Sequence, residues 1–487
     1  MRQRALPALR ARLFIGGAWC EGSSGETLPA ISPGSGERIG VVTQASPADV
    51  HAAVAAAQRA FTDWSRATAH ERAAALRRIG EACERRREDL AWALALDQGK
   101  PLHAEAYDEV DELIGMWHAA AEDGLRLEGS IPPSADSRKR VLVLRRAVGP
   151  VAVITPWNWP YTMPAEIVAP ALAAGDTVVW LPAPSTSACS GVLAECVAEA
   201  ELPPGVFNFL CGPGPIVGEE LVAHPQIAAI GFIGSTQTGL RIAGRAAGKR
   251  LLLEMGGNGP LVVLEDADLD AAARAALSAC FLCAGQSCTA GERLLVHKAV
   301  RRELVEGIAA LIEREVRLGD PLAPETTLGP MNNAAVAAKM EAHVRDALER
   351  GARAVCGGER ARGFPTDLYW PATLLDGVPP GALAAREETF GPIAPVVEIR
   401  SLEEAIELTN SSPYGLLAAI FTADLRRALR YADEARTGLV NINETTNYWE
   451  NHLPFGGRAG SLSGIGRVGG RYPFEALTDL QTIVIGA

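Results

Sequence analysis

Three short segments carry side chains that can do chemistry together. Gly285-Gln286-Ser287-Cys288-Thr289-Ala290-Gly291 presents a thiol, Leu253-Glu254-Met255-Gly256-Gly257 a carboxylate, and Thr155-Pro156-Trp157-Asn158-Trp159-Pro160 an amide. A thiol suits covalent attack, but a free cysteine has a pKa of about 8.5, so a nucleophile needs polar or dipolar surroundings that hold the thiolate. Gly285, Ser287, Ala290 and Gly291 leave room for a substrate to approach Cys288. Buried cysteines are also common small core residues, and Cys280 and Cys283 read that way. The spacing Cys280-x2-Cys283-x4-Cys288 invites a metal, but no fourth Cys or His lies near, so none is expected.

Glu254 ends an apolar run, 251–253, where a half-desolvated carboxylate gains basicity. The plain alternative is a surface Glu at a strand end. Gly256, Gly257 and Asn258 follow at once and suggest a turn open to a ligand. Asn158 is held between two tryptophans and two prolines, so its amide can donate to an oxyanion or simply stabilise its own turn. Gly234-Ser235-Thr236-Gln237-Thr238-Gly239 follows a strand-like run and opens a helix-like one, leaving N–H groups free for a pyrophosphate. Gly212-Pro213-Gly214-Pro215-Ile216-Val217-Gly218 only approximates a dinucleotide fingerprint. Its last spacing is too long and no acidic residue stands at a strand end about 20 residues on.

These segments need elements to position them. Apolar periodicity predicts helices over 47–63, 69–95 and 108–125, and an extended basic stretch over 138–148. Strands at 151–155, 177–181, 206–210 and 227–233 then alternate with helices at 161–174, 187–200, 215–223 and 236–247. That rhythm implies a parallel sheet covered on both faces, with ligands at the C-terminal strand ends. A second α/β run starts after Gly259, with strands at 261–264 and 293–296 and helices at 269–281 and 299–316, and reaches about Ile442. The β-prone tail, 479–485, would be an exposed edge if left alone, which pairing in another subunit would relieve.

The 487 residues are 48% hydrophobic and 21% charged, the make-up of a globular enzyme with large cores. A net charge of -12 argues against nucleic acid or an anionic membrane as partner. No uncharged apolar run reaches the ~18 residues of a membrane span. The arginine-bearing N-terminus lacks the apolar core of a secretory signal. The 9 cysteines are odd in number and scattered, which fits reduced thiols in a cytoplasmic protein.

Taken together, the three segments resemble the aldehyde dehydrogenase superfamily, of the hydrolytic, non-acylating type, and the resemblance runs from about Leu13 to Ile485. It implies oxidation of a small-molecule aldehyde to a carboxylic acid with NAD or NADP. It implies Cys288 as nucleophile, Glu254 as general base, and Asn158 with the Cys288 N–H as oxyanion donors. For the cofactor it implies Thr155, Trp157, Leu181, Gly214, Pro215, Gly234, Ser235, Gly256, Glu388 and Phe390. Within that set Gly214 and Pro215 belong to the adenine wall, Glu388 to the nicotinamide ribose and Phe390 to the ring. For the substrate tunnel it implies Trp159, Thr162, Met163, Glu166, Leu282, Ser287, Thr289, Trp449 and Phe455. The implied fold is α/β, with two doubly wound parallel-sheet domains and a small β oligomerisation extension. The dinucleotide-binding domain is expected at 1–123 and 148–256, the catalytic domain at 257–455, and the extension at 124–147 and 470–487, in a homodimer or homotetramer.

The chain departs from the family pattern in places. Leu181-Pro182-Ala183-Pro184 stands where Lys-Pro-Ser/Ala-Glu is usual, removing both the cation and the carboxylate that read the adenosine ribose. Val468 replaces a common Glu, leaving Glu254 as the better base, and a short insertion lies between Gly457 and Ser463. Glu166 falls where an aromatic or apolar residue is common, and 447–452 is polar-aromatic, so a polar or functionalised aldehyde is expected over a long alkyl one. Two alternatives stand beside this reading. A CoA-acylating dehydrogenase would not need Glu254 as a water base. A catalytically silent binding or structural protein on the same fold would not need Cys288, Glu254 and Asn158.

Overall fold

The computed structural model describes residues 8–486; the first residues of the expected dinucleotide domain and the last residue of the tail lie outside them. Its larger sheet runs in the order Gly464–Ile465, Arg250–Glu254, Ala229–Ile233, Pro150–Ile154, Thr177–Leu181, Phe207–Phe209, Leu13–Ile15, Ala18–Cys20. From Arg250–Glu254 to Phe207–Phe209 every pairing is parallel, and antiparallel strands close both ends. The central strands are apolar runs buried on both faces because helices cover both. A second, seven-stranded sheet is parallel except at the edge strand Arg353–Cys356. The sheet order places both β runs as expected, while the antiparallel edges were not foreseen.

Helices Pro47–Trp64 and Ala69–Arg85 start at capping boxes, Ser46 with Asp49 and Thr68 with Glu71, which satisfy the first free N–H groups. The continuous helix expected over 69–95 is instead two, Ala69–Arg85 and Arg87–Asp97. Arg86 leaves helical geometry, and its guanidinium donates to Glu195 and Glu199 of the helix Ser187–Glu199. Apolar periodicity continues across the break, so it was invisible in the sequence. The segment 215–223 likewise opens as a wide turn, Gly214–Gly218, before the helix Glu219–Ala223.

The tail strand Thr478–Gly486 needs no second subunit for its first partner. It pairs antiparallel with Lys139–Ala147 of the same chain, from Thr478 opposite Ala147 to Gly486 opposite Lys139. The expected basic extension and the tail therefore make one two-stranded ribbon, with Leu480, Val484 and Ile485 exposed.

Candidate active site

Parallel register brings the first two functional groups to one sheet end. Ile233 lies opposite Glu254, and the N–H of Gly234 donates to the Glu254 carbonyl at 3.0 Å. Asn158 follows the neighbouring strand Pro150–Ile154 at the same C-terminal edge. Cys288 arrives from the other sheet's side. After the helix Leu269–Phe281 the chain makes three left-handed residues in a row, Cys283 (φ 54°), Ala284 (φ 52°) and Gly285 (φ 67°). Left-handed backbone at non-glycine residues costs energy and persists only where surroundings impose it. Here a Cβ on Gly285 would lie 2.0 Å from the Gly391 carbonyl oxygen, so the approach demands glycine.

That turn hands the segment to Asn158, whose Nδ2 donates to the Gln286 carbonyl at 2.9 Å. Gln286 is itself tied down, accepting from the Asn332 N–H at 2.8 Å and donating to the Cys283 carbonyl at 2.9 Å. Asn158 is buried, with its Oδ1 unpartnered and one amide hydrogen left to give. Glu254 is 4% exposed and, among the described residues, neither of its carboxylate oxygens has a partner. Burial raises its pKa well above the carboxylate range, Glu166 adds to the rise, and Arg467 opposes it. Burial likewise pushes the Cys288 thiol up, followed by the negative charges of Glu388, Glu166 and Glu254.

Two cavities meet at these groups. One, of about 200 Å³, is lined by Trp157, Gly234, Ser235, Gly256, Glu388 and Phe390 of the expected cofactor set, together with Asn158, Glu254 and Cys288. The other, of about 120 Å³, is lined by all the expected substrate residues, Trp159, Thr162, Met163, Glu166, Leu282, Ser287, Thr289, Trp449 and Phe455, again with Glu254 and Cys288. Four expected cofactor residues line neither cavity. Thr155 is buried and its hydroxyl accepts from the Trp180 indole at 2.9 Å. Leu181 is buried, 3.6 Å from where a Gly218 Cβ would stand, while Gly214 and Pro215 lie on the exposed turn that follows Pro213.

Sequence reasoning missed several participants. Glu292 is buried and accepts the N–H groups of Thr389 at 2.8 Å and Phe390 at 2.9 Å. It thereby holds Phe390 in left-handed backbone (φ 63°), its ring edge-on to Trp157 with centroids 5.5 Å apart. Lys339 joins the first cavity and Glu112 the second. Both sit on helices whose pattern shows an amphipathic face but not which loop that face meets. Among the described residues no three Cys, His, Asp or Glu side chains form a metal-ligand set.

The first cavity suits a dinucleotide chemically. A helix N-terminus opens at Ser235, a carboxylate stands at Glu388, and an aromatic wall is formed by Trp157 and Phe390. Space is reserved there as well, since a Cβ on Gly256 would come within 2.8 Å of the Glu388 carboxylate. The aldehyde dehydrogenase family model matches residues 19–483. The chain belongs to the aldehyde dehydrogenase family. It is 37% identical over 480 residues to a succinate-semialdehyde dehydrogenase (NADP(+)) of Escherichia coli, covering 98% of each chain. It is 38% identical over 487 residues to an aminoacetaldehyde dehydrogenase of Pseudomonas aeruginosa, covering 98% of this chain and 96% of the relative. The crystal structure of a succinate-semialdehyde dehydrogenase from Burkholderia pseudomallei superposes with a TM-score of 0.96 at 36% identity, covering 100% of both chains. The dehydrogenase oxidises an aldehyde to a carboxylic acid with NAD or NADP. No helix among its described residues is long and apolar enough to cross a membrane.

Proposed function

We propose that the dehydrogenase works through a covalent Cys288 thioester hydrolysed by water that Glu254 deprotonates. The observation that carries this is the meeting of both cavities at Cys288 and a buried Glu254 whose oxygens have no other partner. Cys288 Sγ bonds to the aldehyde carbon, and the charge gathering on oxygen is met by the free Asn158 amide hydrogen and the Cys288 N–H. Loss of hydride from that carbon leaves an acyl group on Sγ. Glu254 then takes a proton from water, hydroxide adds to the acyl carbon, and Sγ leaves. Nicotinamide, when bound, supplies the hydride acceptor. Ser235 and the free N–H groups of its helix would hold the pyrophosphate, Glu388 the ribose hydroxyls, and Phe390 with Trp157 the ring.

A water base with no other engagement favours hydrolysis over transfer to CoA. The free state of all 9 cysteines fits a cytoplasmic enzyme. The ribbon, with Leu480, Val484 and Ile485 exposed and strand edges to offer, supports a homodimer or homotetramer assembled through that extension. The mechanism is tested with Cys288→Ala, which should abolish reduction of NAD or NADP by every aldehyde while dinucleotide binding, read by protein fluorescence, survives. Near-normal turnover in that variant would refute the nucleophile.

A further inference from the structure

The cavity on the substrate side has a one-sided charge. Glu112, Glu166 and Glu254 line it, and among the described residues no Lys, Arg or His does. Glu112 comes from the helix Tyr107–Leu125 and Glu166 from the helix Thr162–Ala174 packed beside it. Among the described residues no hydrogen bond or ion pair engages either carboxylate. Glu254, the proposed water base, faces the same cavity, buried and, among the described residues, with both oxygens unsatisfied.

The nearby cations are committed elsewhere. Lys100 is buried in an ion pair with Glu109, its ammonium 3.2 Å from the Trp159 ring centre, and its charge offsets only part of what burial and Glu109 do to Glu112. Arg467 donates to the carbonyls of Gly457 and Gly466. Lys339 stands in the other cavity. Three aromatic side chains share the lining with Met163, Ile233, Leu282 and small polar groups: Trp159, and Trp449 against Phe455 with centroids 5.5 Å apart. Aromatic faces attract cations. Toward solvent, Glu166 also lines an outer cleft with Asp123, which lies 3.8 Å from Arg126.

We propose that the substrate is a small aldehyde bearing a positively charged ammonium group, held by Glu112 and Glu166 and by the Trp449–Phe455 wall while its carbonyl reaches Cys288. The inference rests on the proposed role of Cys288 and adds the substrate class. An aldehyde ending in a carboxylate would meet like charge on three sides. A neutral alkyl aldehyde would leave the carboxylates desolvated without compensation. Burial and then Glu109 push Glu112 up to about 7, and burial with Glu112 raises Glu166; a bound ammonium reverses both shifts.

The test uses the full chain with three aldehydes: 3-aminopropanal, its neutral isostere butanal, and 4-oxobutanoate. We expect kcat/KM for 3-aminopropanal to exceed that for butanal by about tenfold or more, with 4-oxobutanoate the poorest. Glu166→Gln and Glu112→Gln should each lower the ratio of 3-aminopropanal to butanal. The substrate class is overturned if butanal or 4-oxobutanoate matches 3-aminopropanal, or if neither substitution lowers that ratio. The ranking on the unaltered enzyme decides the matter even if a variant fails to fold. Turnover that persists in Cys288→Ala defeats the mechanism instead, whereas Cys288-dependent oxidation without ammonium preference defeats the substrate class alone.

Discussion

Gly456 is packed against the Glu254 carboxylate: a Cβ at Gly456 would lie 2.4 Å from Glu254 Oε1. The glycine also has φ +151° and a carbonyl, that of Gly466, 2.9 Å from the same point. An added methyl group therefore meets two side chains that can yield, the carboxylate first and Arg467, whose Cδ would lie 3.1 Å away. We expect Gly456→Ala to slow thioester hydrolysis while leaving a burst of about one reduced cofactor per site, as Glu254→Gln should. Steady-state turnover should fall at least tenfold, about 1.4 kcal/mol of barrier. Rapid-mixing absorbance of the reduced nicotinamide gives the answer; undiminished steady-state turnover in both variants means another base acts.

Glu292 accepts two N–H groups from the turn that carries Phe390. Glu292→Ala leaves the buried Thr389 N–H unsatisfied, at about 1–3 kcal/mol, and the half-buried Phe390 N–H at less. The Tm should fall and the KM for the dinucleotide should rise, because Phe390 loses the clamp that holds its left-handed backbone. Unchanged Tm and KM would show that the turn keeps its shape unaided.

Glu112, pushed up to about 7 by burial and Glu109, makes stability pH-dependent. A carboxyl whose folded pKa lies above its ordinary 4.5 contributes stability below that ordinary value and loses it as pH rises through 7. Gln cannot ionise. The Tm of Glu112→Gln minus that of the parent should therefore grow from pH 4.5 to 7 and then level off. A difference that is flat across that window, in paired thermal melts, contradicts the shift.

Where the resemblance expects the adenosine ribose, at the end of the strand Thr177–Leu181, Leu181 and Pro184 offer neither a cation nor a carboxylate. NAD and NADP should both be used, with NAD slightly favoured. Pro184→Glu should selectively depress kcat/KM for NADP through repulsion of its 2′-phosphate. A preference beyond about a thousandfold in the unaltered enzyme, roughly 4 kcal/mol, would mean that other residues read the ribose.

That Cys288, Glu254 and Asn158 belong together was legible in the sequence because each stands in a short segment whose neighbours suit one task, and the three line one cavity. The substrate set was legible through resemblance, and all of it lines one cavity. Glu112 was not. Its helix shows an apolar face, but a carboxylate three residues from the buried Glu109 reads as solvated until the helix Thr162–Ala174 covers it. Nor did the sequence show that the Thr155 hydroxyl is taken by Trp180 from the adjacent strand.

The α/β alternation and the strand-end placement of the motifs could be read from the residues alone, because both follow from local periodicity and residue type. Tertiary structure decided what long-range contacts decide. It paired Thr478–Gly486 with Lys139–Ala147, broke a periodic helix at Arg86 and clamped Phe390 through Glu292. It also gathered three carboxylates around one cavity whose lining, among the described residues, holds no cation. Charge in a buried site depends on which elements desolvate it and which face it, and no local pattern of residues records either.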